Sequence, residues 1–309
     1  MAQHLMSVKD LGKKGILQLL KHAEAIKRNP QKYNRALEDK TLFMLFETFS
    51  LRTRVSFEAG MTQLGGHAIF YHIKESTIGK EETIGDLART ISGYCDAIMV
   101  RVFSHEQLLE LADYASVPVI NGMTNLEHPC QILADMLTIY EKKQSLKIKL
   151  AYLGDGNNNT THSLMYAAAI LGMDIVVACP KGEAFEPQPA VTRDAKRLAE
   201  KSGSLMDVTQ DASEAAQGAD VVYTDSWMSY RIPEHESHKR MKLFLPYQVN
   251  KKTMSLAKKD AVFMHCLPAK RGNEVTEDVF ESRQSIVFQQ AENRLHMQKA
   301  ILLWLMRKL

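Results

Sequence analysis

Cysteine is scarce in this sequence. Only four occur in 309 residues, Cys95, Cys130, Cys179 and Cys266, and none forms a CxxC pair. That spacing excludes a disulfide scaffold and argues against a zinc site. Proline is also sparse, at 9 against 16 Gly, and with 45% hydrophobic and 24% charged residues the balance is that of a packed globular protein rather than a disordered or fibrous one. No run reaches the ~18 apolar residues of a membrane span, and MAQHLMSVKDLGKKG at the N-terminus has neither an apolar core nor a small-residue cleavage site. A cytoplasmic protein is the expectation. An excess of one charge is missing too: 39 Lys and Arg against 36 Asp and Glu leave +3, spread along the chain. Nucleic acid and membranes therefore find no single-sign face.

What is present is alternation. The length favours two domains of roughly 150 residues each, and apolar β-branched runs such as TLFMLFE, DAIMVRVF, LAYLGD and DIVVACP alternate with helical patterns such as LLKHAEAIKRN, HEQLLELADYA and TRDAKRLAEKSG. Strand and helix at this spacing predict α/β architecture, two doubly wound domains with mainly parallel sheets. The charged segment EKKQSLKIK puts the division at 1–145 and 146–309. The last helix, about 291–309, offers Leu295, Ala300, Leu302, Leu303 and Leu305 for burial and is expected to return to the first domain.

Open parallel sheets bind ligands beyond the carboxyl ends of their strands, and the chemistry-bearing residues follow strands here. After TLFMLFE, the stretch TFSLRT places Ser50, Leu51, Arg52 and Thr53 where helix N–H groups, two hydroxyls and a guanidinium could seat a phosphate; an N-cap with surface arginines has the same letters. Arg101 ends the run DAIMVRV and needs an anion, whether substrate or protein carboxylate. In LEHPCQILAD, Pro129 suits a first helical turn, with His128 before it and Gln131 beyond, so both side chains can reach one ligand; a structural His-Pro turn is the other reading. LGDGNNNTTHS holds Asp155, Gly156, Asn158 and Asn159 but no GxGxxG, which leaves a dinucleotide oxidoreductase without its motif. The asparagines either cap a helix or face a polar ligand. YTDSWMSY and FMHCLPAKRG add Asp225, suited to an ammonium group, then Ser229, and Cys266, either a tuned thiol or an inert buried one.

The first half thus collects groups for a phosphate and a polarised carbonyl, and the second collects groups for an amine. SLRTRVSFE, Arg101, HPCQILAD, DGNNN, D-x-W-x-S, HCLPAKRG and AENR occur in the order of the aspartate/ornithine carbamoyltransferase family, which the chain resembles over nearly its whole length. HCLP with D-x-W-x-S resembles the branch acting on ornithine. The resemblance implies carbamoyl transfer from carbamoyl phosphate to the δ-amine of L-ornithine, a homotrimer, and no metal or organic cofactor. It implies carbamoyl phosphate contacts from Ser50, Leu51, Arg52, Thr53, Arg101, His128, Gln131 and Arg294, with Cys266 and Leu267 at the junction of the substrates. Asn159, with Asn158 as the one-residue alternative, Asp225, Ser229 and Tyr230 would hold ornithine. Arg52, Arg101, His128, Asp225 and Cys266 form the implied catalytic set. The Leu267–Pro268 bond resembles one that is cis in relatives. The chain departs from the family at Leu51, at Ile78 and in Tyr230-Arg231-Ile232-Pro233. Another amine, such as putrescine or an N-acylated ornithine, is therefore the alternative second substrate, and a non-catalytic phosphate-binding relative a more distant alternative.

Overall fold

The structure, a computed structural model, describes residues 2–73, 82–228 and 237–308. Two compact units divide it: Met1–Leu137 with Glu292–Leu309, and Thr138–Ala291. In the first, the elements run α1 (Gly12–Arg28), β1 (Thr41–Phe46), α2 (Leu51–Gln63), β2 (His67–His72), α3 (Ile84–Ser92), β3 (Ala97–Arg101), α4 (His105–Tyr114), β4 (Val119–Met123) and α5 (Pro129–Lys143), whose last residues belong to the second unit. The sheet has the order β2-β1-β3-β4 and every pairing in it is parallel.

The sequence explains these elements. Along α1, Ile16, Leu19, Leu20, Ala23 and Ile26 are buried, the spacing of one helical stripe. β1 is buried from Leu42 to Phe46, as a parallel strand covered on both faces should be. Its alternate residues Phe43 and Leu45, with Ile98 and Val100 of β3, pack on Leu87 of α3 and on Leu108 and Leu111 of α4. Because β2 lies on one side of β1 and β3 on the other, the winding reverses between β1 and β3. That is where a doubly wound sheet opens a crevice.

The second unit contains β5 (Lys149–Leu153), α6 (Asn159–Leu171), β6 (Asp174–Ala178), α7 (Pro189–Ser202), β7 (Met206–Thr209), α8 (Ala212–Ala216), β8 (Val221–Thr224), α9 (Ser237–Phe244), α10 (Lys251–Leu256), β9 (Val262–His265) and α11 (Glu277–Phe280). Its sheet, β7-β6-β5-β8-β9, is again parallel throughout, and its reversal falls between β5 and β8. Helix α6 is buried from Thr160 to Leu171.

The C-terminal helix α12 (Val287–Leu305) begins about a turn earlier than the sequence suggests, and its residues from Glu292 onward belong to the first unit. Ala300, Leu302, Leu303 and Leu305 are buried there, whereas Leu295 is half-buried. Two polar contacts pin it: Lys27 of α1 donates to Asn293 at 2.7 Å, and the buried Lys299 donates to Gln63 at the end of α2 at 2.9 Å. No helix among the described residues is long and apolar enough to cross a membrane.

Candidate active site

In the first unit, three strand ends and α12 supply the polar groups. Ser50 is the N-cap of α2 and its hydroxyl accepts the Thr53 N–H, so Leu51, Arg52 and Thr53 form the opening turn, whose free N–H groups and dipole favour an anion. Leu51 is 75% exposed while Thr53 is buried, so the helix turns one hydroxyl inward and leaves the leucine side chain outside. Arg54 points elsewhere: it donates to Glu58 at 2.9 Å and lies 3.8 Å above the Phe70 ring.

Arg101 closes β3 opposite Phe46, the last residue of β1. The register to β4 shifts between Val100 and Arg101, an irregularity that re-aims a side chain at a strand end. Beyond β4, Thr124 is bonded to the Glu127 carbonyl and to His105, which fixes the loop carrying His128 up to Pro129, the first residue of α5. From α12, the buried Arg294 donates to Gln131 Oε1 at 2.5 Å and to Thr53 Oγ1 at 3.1 Å. Gln131 in turn donates to the buried Asp135 at 2.9 Å. Arg101, Arg294 and Asp135 are all buried. Buried guanidinium groups at such a strand end favour an anionic ligand. Burial, reinforced by Arg294 and Arg101, holds His128 well below the ordinary histidine range. At neutral pH its ring is an uncharged imidazole.

In the second unit, the turn after β5 requires glycine: Gly154 has φ +136, and a Cβ on Gly156 would come within 2.7 Å of the Phe185 carbonyl. The turn sets Asn158 as N-cap of α6, with its Oδ1 accepting the Thr160 N–H at 2.7 Å. Its Nδ2 donates to Asp225 Oδ2 at 3.1 Å. Asp225 follows β8 and also accepts the Cys266 thiol at 3.0 Å and the Ser226 N–H at 2.7 Å. Asn158, Asp225 and Cys266 thus meet from the ends of β5, β8 and β9. Asn159 is the first residue of α6, and its Oδ1 accepts the Thr160 hydroxyl at 3.4 Å. Ser229 and Tyr230 lie outside the described residues, as do Ile78 and Arg231 to Pro233.

The Cys266 loop is held from beneath. Leu267 has φ +62 and the Leu267–Pro268 bond is cis. The Leu267 N–H donates to His265 Nδ1 at 2.8 Å, and His265 Nε2 lies 3.3 Å from Glu274. With Nδ1 accepting, the ring proton sits on Nε2 and points at the glutamate. Asp225, His265 and Cys266 bring ligand-type atoms within 4.8 Å of one another. Both histidine nitrogens are already engaged by Leu267 and Glu274, so this set does not fit a metal.

Several contributors were not evident from the sequence. Arg240 of α9 pairs with the buried Asp155 and donates to the Trp227 carbonyl at 2.5 Å, 85 residues from its carboxylate partner. Burial pushes the Asp155 carboxyl up to about 6, against the pull of Arg240. Asp135 had a signal, its spacing of four from Gln131 along a helix. Glu274 and Arg240 had none.

The profile described as aspartate/ornithine carbamoyltransferase, carbamoyl-P binding domain, matches residues 3–141. The Asp/Orn binding domain profile of the same family matches 146–305. The chain is 52% identical over 304 residues to an ornithine carbamoyltransferase of Anoxybacillus flavithermus, covering 97% of this chain and 96% of the relative. It is 50% identical over 299 residues to that of Bacillus subtilis, covering 96% and 92%. Its fold matches the solved ornithine carbamoyltransferase of Pyrococcus furiosus with a TM-score of 0.93 at 47% identity, covering 98% of this chain and 96% of that one.

Proposed function

The chain belongs to the aspartate/ornithine carbamoyltransferase family, and from that premise we propose that it transfers the carbamoyl group of carbamoyl phosphate to the δ-amine of L-ornithine, giving L-citrulline and phosphate in arginine metabolism. Relatives named for this activity match nearly the full chain at about half identity, and the observation that carries the reading is the Asn158–Asp225–Cys266 cluster. A carboxylate holding an amide and a thiol is chemistry for an amine nucleophile.

Carbamoyl phosphate is assigned to Ser50, Leu51, Arg52, Thr53, Arg101, His128, Gln131 and Arg294, with Cys266 and Leu267. The N-terminal turn of α2 and Arg52 take the phosphate, while Arg101 and the neutral His128 donate to the carbonyl oxygen as negative charge develops on it. L-Ornithine is assigned to Asn158 or Asn159, Asp225, Ser229 and Tyr230. Its δ-amine attacks the carbonyl carbon, the C–O bond to phosphorus breaks, and phosphate leaves with that electron pair. A free alkylammonium has a pKa of ~10.4, so the ammonium first gives one proton to solvent; Asp225 then accepts an N–H of the neutral amine and orients its lone pair, and the second proton released on attack passes to the departing phosphate. The rate then rises with pH through the neutral range.

The assembly we assign is a homotrimer acting in the cytoplasm. Exposed Leu51 and Val55, one turn apart on α2, with Phe49 just before the helix, support a covered face. The domain division at 1–145 and 146–309 belongs to the same reading. Supplying carbamoyl phosphate with ornithine, putrescine, N-acetylornithine or aspartate in parallel tests the function. Citrulline from ornithine at the highest kcat/KM is the expected result, and turnover of another amine would reassign the second substrate.

A further inference from the structure

An open groove of about 890 Å³ flanks α7 in the second unit, and none of its lining residues belongs to the cluster of Asn158, Asp225 and Cys266. One wall is a single stripe of α7, with Arg193, Lys196 and Glu200 three and four residues apart, the spacing of one helix face. Facing it is the loop before α7, with Glu183 and Glu186, beside Val208 of the edge strand β7. Charge alternates along the groove: acids at the loop end, cations in the middle, and an acid again at Glu200. Among the described residues Glu183, Arg193, Lys196 and Glu200 form no ion pair, while Arg197 is turned to Asp194 at 3.8 Å.

The loop wall is shared with the amine end of the site. The Asn157 N–H donates to the Phe185 carbonyl at 3.0 Å, and Asn157 Nδ2 donates to the Glu183 carbonyl at 3.3 Å, directly before the cap residue Asn158. Gly156 lies so close to this loop that a Cβ there would meet the Phe185 carbonyl and Pro187. Glu186 braces the loop from within, its carboxylate accepting the Gly182 N–H at 3.0 Å. A cation arriving in the groove competes for that carboxylate.

We propose that this groove is a second, regulatory site for an α-amino acid with a cationic side chain, and that its occupant weakens binding of the amine substrate. The ligand carboxylate lies on Arg193 and Lys196, its α-ammonium on Glu186 and its side-chain cation on Glu200. The seven residues from Arg193 to Glu200 rise ~10 Å, within reach of an extended basic amino acid. Three alternating charges select this class over an amino acid with an apolar side chain, which leaves Glu200 unanswered, and over a diamine, which has nothing for Arg193 and Lys196. Drawing Glu186 from the Gly182 N–H loosens the loop that holds Asn157, and with it the Asn158 side chain that reaches Asp225. The effect on turnover rests on the amine reading of that cluster; the binding does not.

Calorimetric titration of the full chain with L-arginine, L-norleucine and cadaverine tests the groove. L-Arginine should bind at least about tenfold tighter than the other two. Its affinity should fall about tenfold or more in Arg193→Gln with Lys196→Gln, both exposed positions, and stay within about twofold in Asp225→Asn, which alters the amine site alone. In assays, saturating L-arginine should raise the KM for L-ornithine about threefold or more at unchanged kcat. The double variant should keep its basal kcat and lose that response. Binding that survives in the double variant but is lost in Asp225→Asn would place L-arginine at the amine site and overturn the proposal. Equal affinity for the three probes, no binding of any, or a KM that ignores L-arginine would overturn it as well. Should the protein convert no amine, the reading of the Asn158–Asp225–Cys266 cluster falls instead, and the titrations still decide the groove.

Discussion

Glu127 immediately precedes His128, is buried, and accepts the Val8 N–H at 3.3 Å. Burial pushes its carboxyl up to about 7, although Ser7, Lys9 and the Val8 N–H pull the other way and Asp10 adds to the rise. The folded protein therefore keeps a proton that the unfolded chain has already lost above its ordinary carboxylate range. Stability from this residue is intact at pH 4 and is lost as pH rises through 7, by about 3 kcal/mol at pH 8. Glu127→Gln, which can still accept the Val8 N–H, should raise stability at pH 8 by up to that amount and leave it unchanged at pH 4. Urea melts at the two pH values check this. Cys266 belongs to the same scale but to the chemistry. Its thiol donates to Asp225, and positioned proton-handling groups contribute ~10²–10⁴-fold, so Cys266→Ala should lower kcat by about 10² and alter the pH profile. A kcat unchanged at every pH would remove the thiol from the mechanism.

Helix α9 is held by its buried Phe244, packed on Phe185, Trp227 and Tyr247, and by an ion pair. Arg240 ties it to Asp155 at the end of β5 and to the Trp227 carbonyl after β8. Arg240→Met would leave a buried carboxylate without its cation and should cost about 3 kcal/mol at pH 8. The cost should shrink towards pH 5, where Asp155, already pushed up to about 6, takes a proton. Adding Asp155→Asn should recover most of the loss, and thermal melts of the single and double variants at both pH values measure it. The elements most visible in the sequence were those with a full period: β1, β3 and β5 as apolar runs, α1 and α7 as amphipathic stretches, and Pro129 marking the start of α5. The short helices α10 and α11, of 6 and 4 residues, are too brief for a 3.6-residue pattern to emerge. At the site, residue types and strand-end positions singled out Ser50, Arg101, His128 and Asp225 as candidates. The partners that orient them, Asp135 for Gln131, Glu274 for His265 and Arg240 for Asp155, are set by tertiary packing, which local sequence does not encode. Asn158 shows the same limit: three consecutive asparagines are equivalent until the helix start fixes which one caps it and reaches Asp225.

At the scale of the molecule, the two parallel sheets each reverse their winding at the strand pair that carries polar groups, β1 with β3 and β5 with β8. Topology thus explains why residues as distant as 158 and 225 meet and why the residues following β1 lie at the strand end beside Arg101. The apolar group on α2 and beside it leads to a prediction about assembly. Sedimentation should give the mass of three chains, and Val55→Glu, an exposed position outside the binding residues, should shift it toward the single chain without loss of helical signal, since a charge on a covered face is left unpaired. The most direct test of the central claim is citrulline formation from carbamoyl phosphate and L-ornithine by the purified protein, with putrescine, N-acetylornithine and aspartate run alongside. Citrulline and phosphate in equal amounts, at a kcat/KM well above that for the other amines, is the predicted result; no product from any of the four would contradict the account.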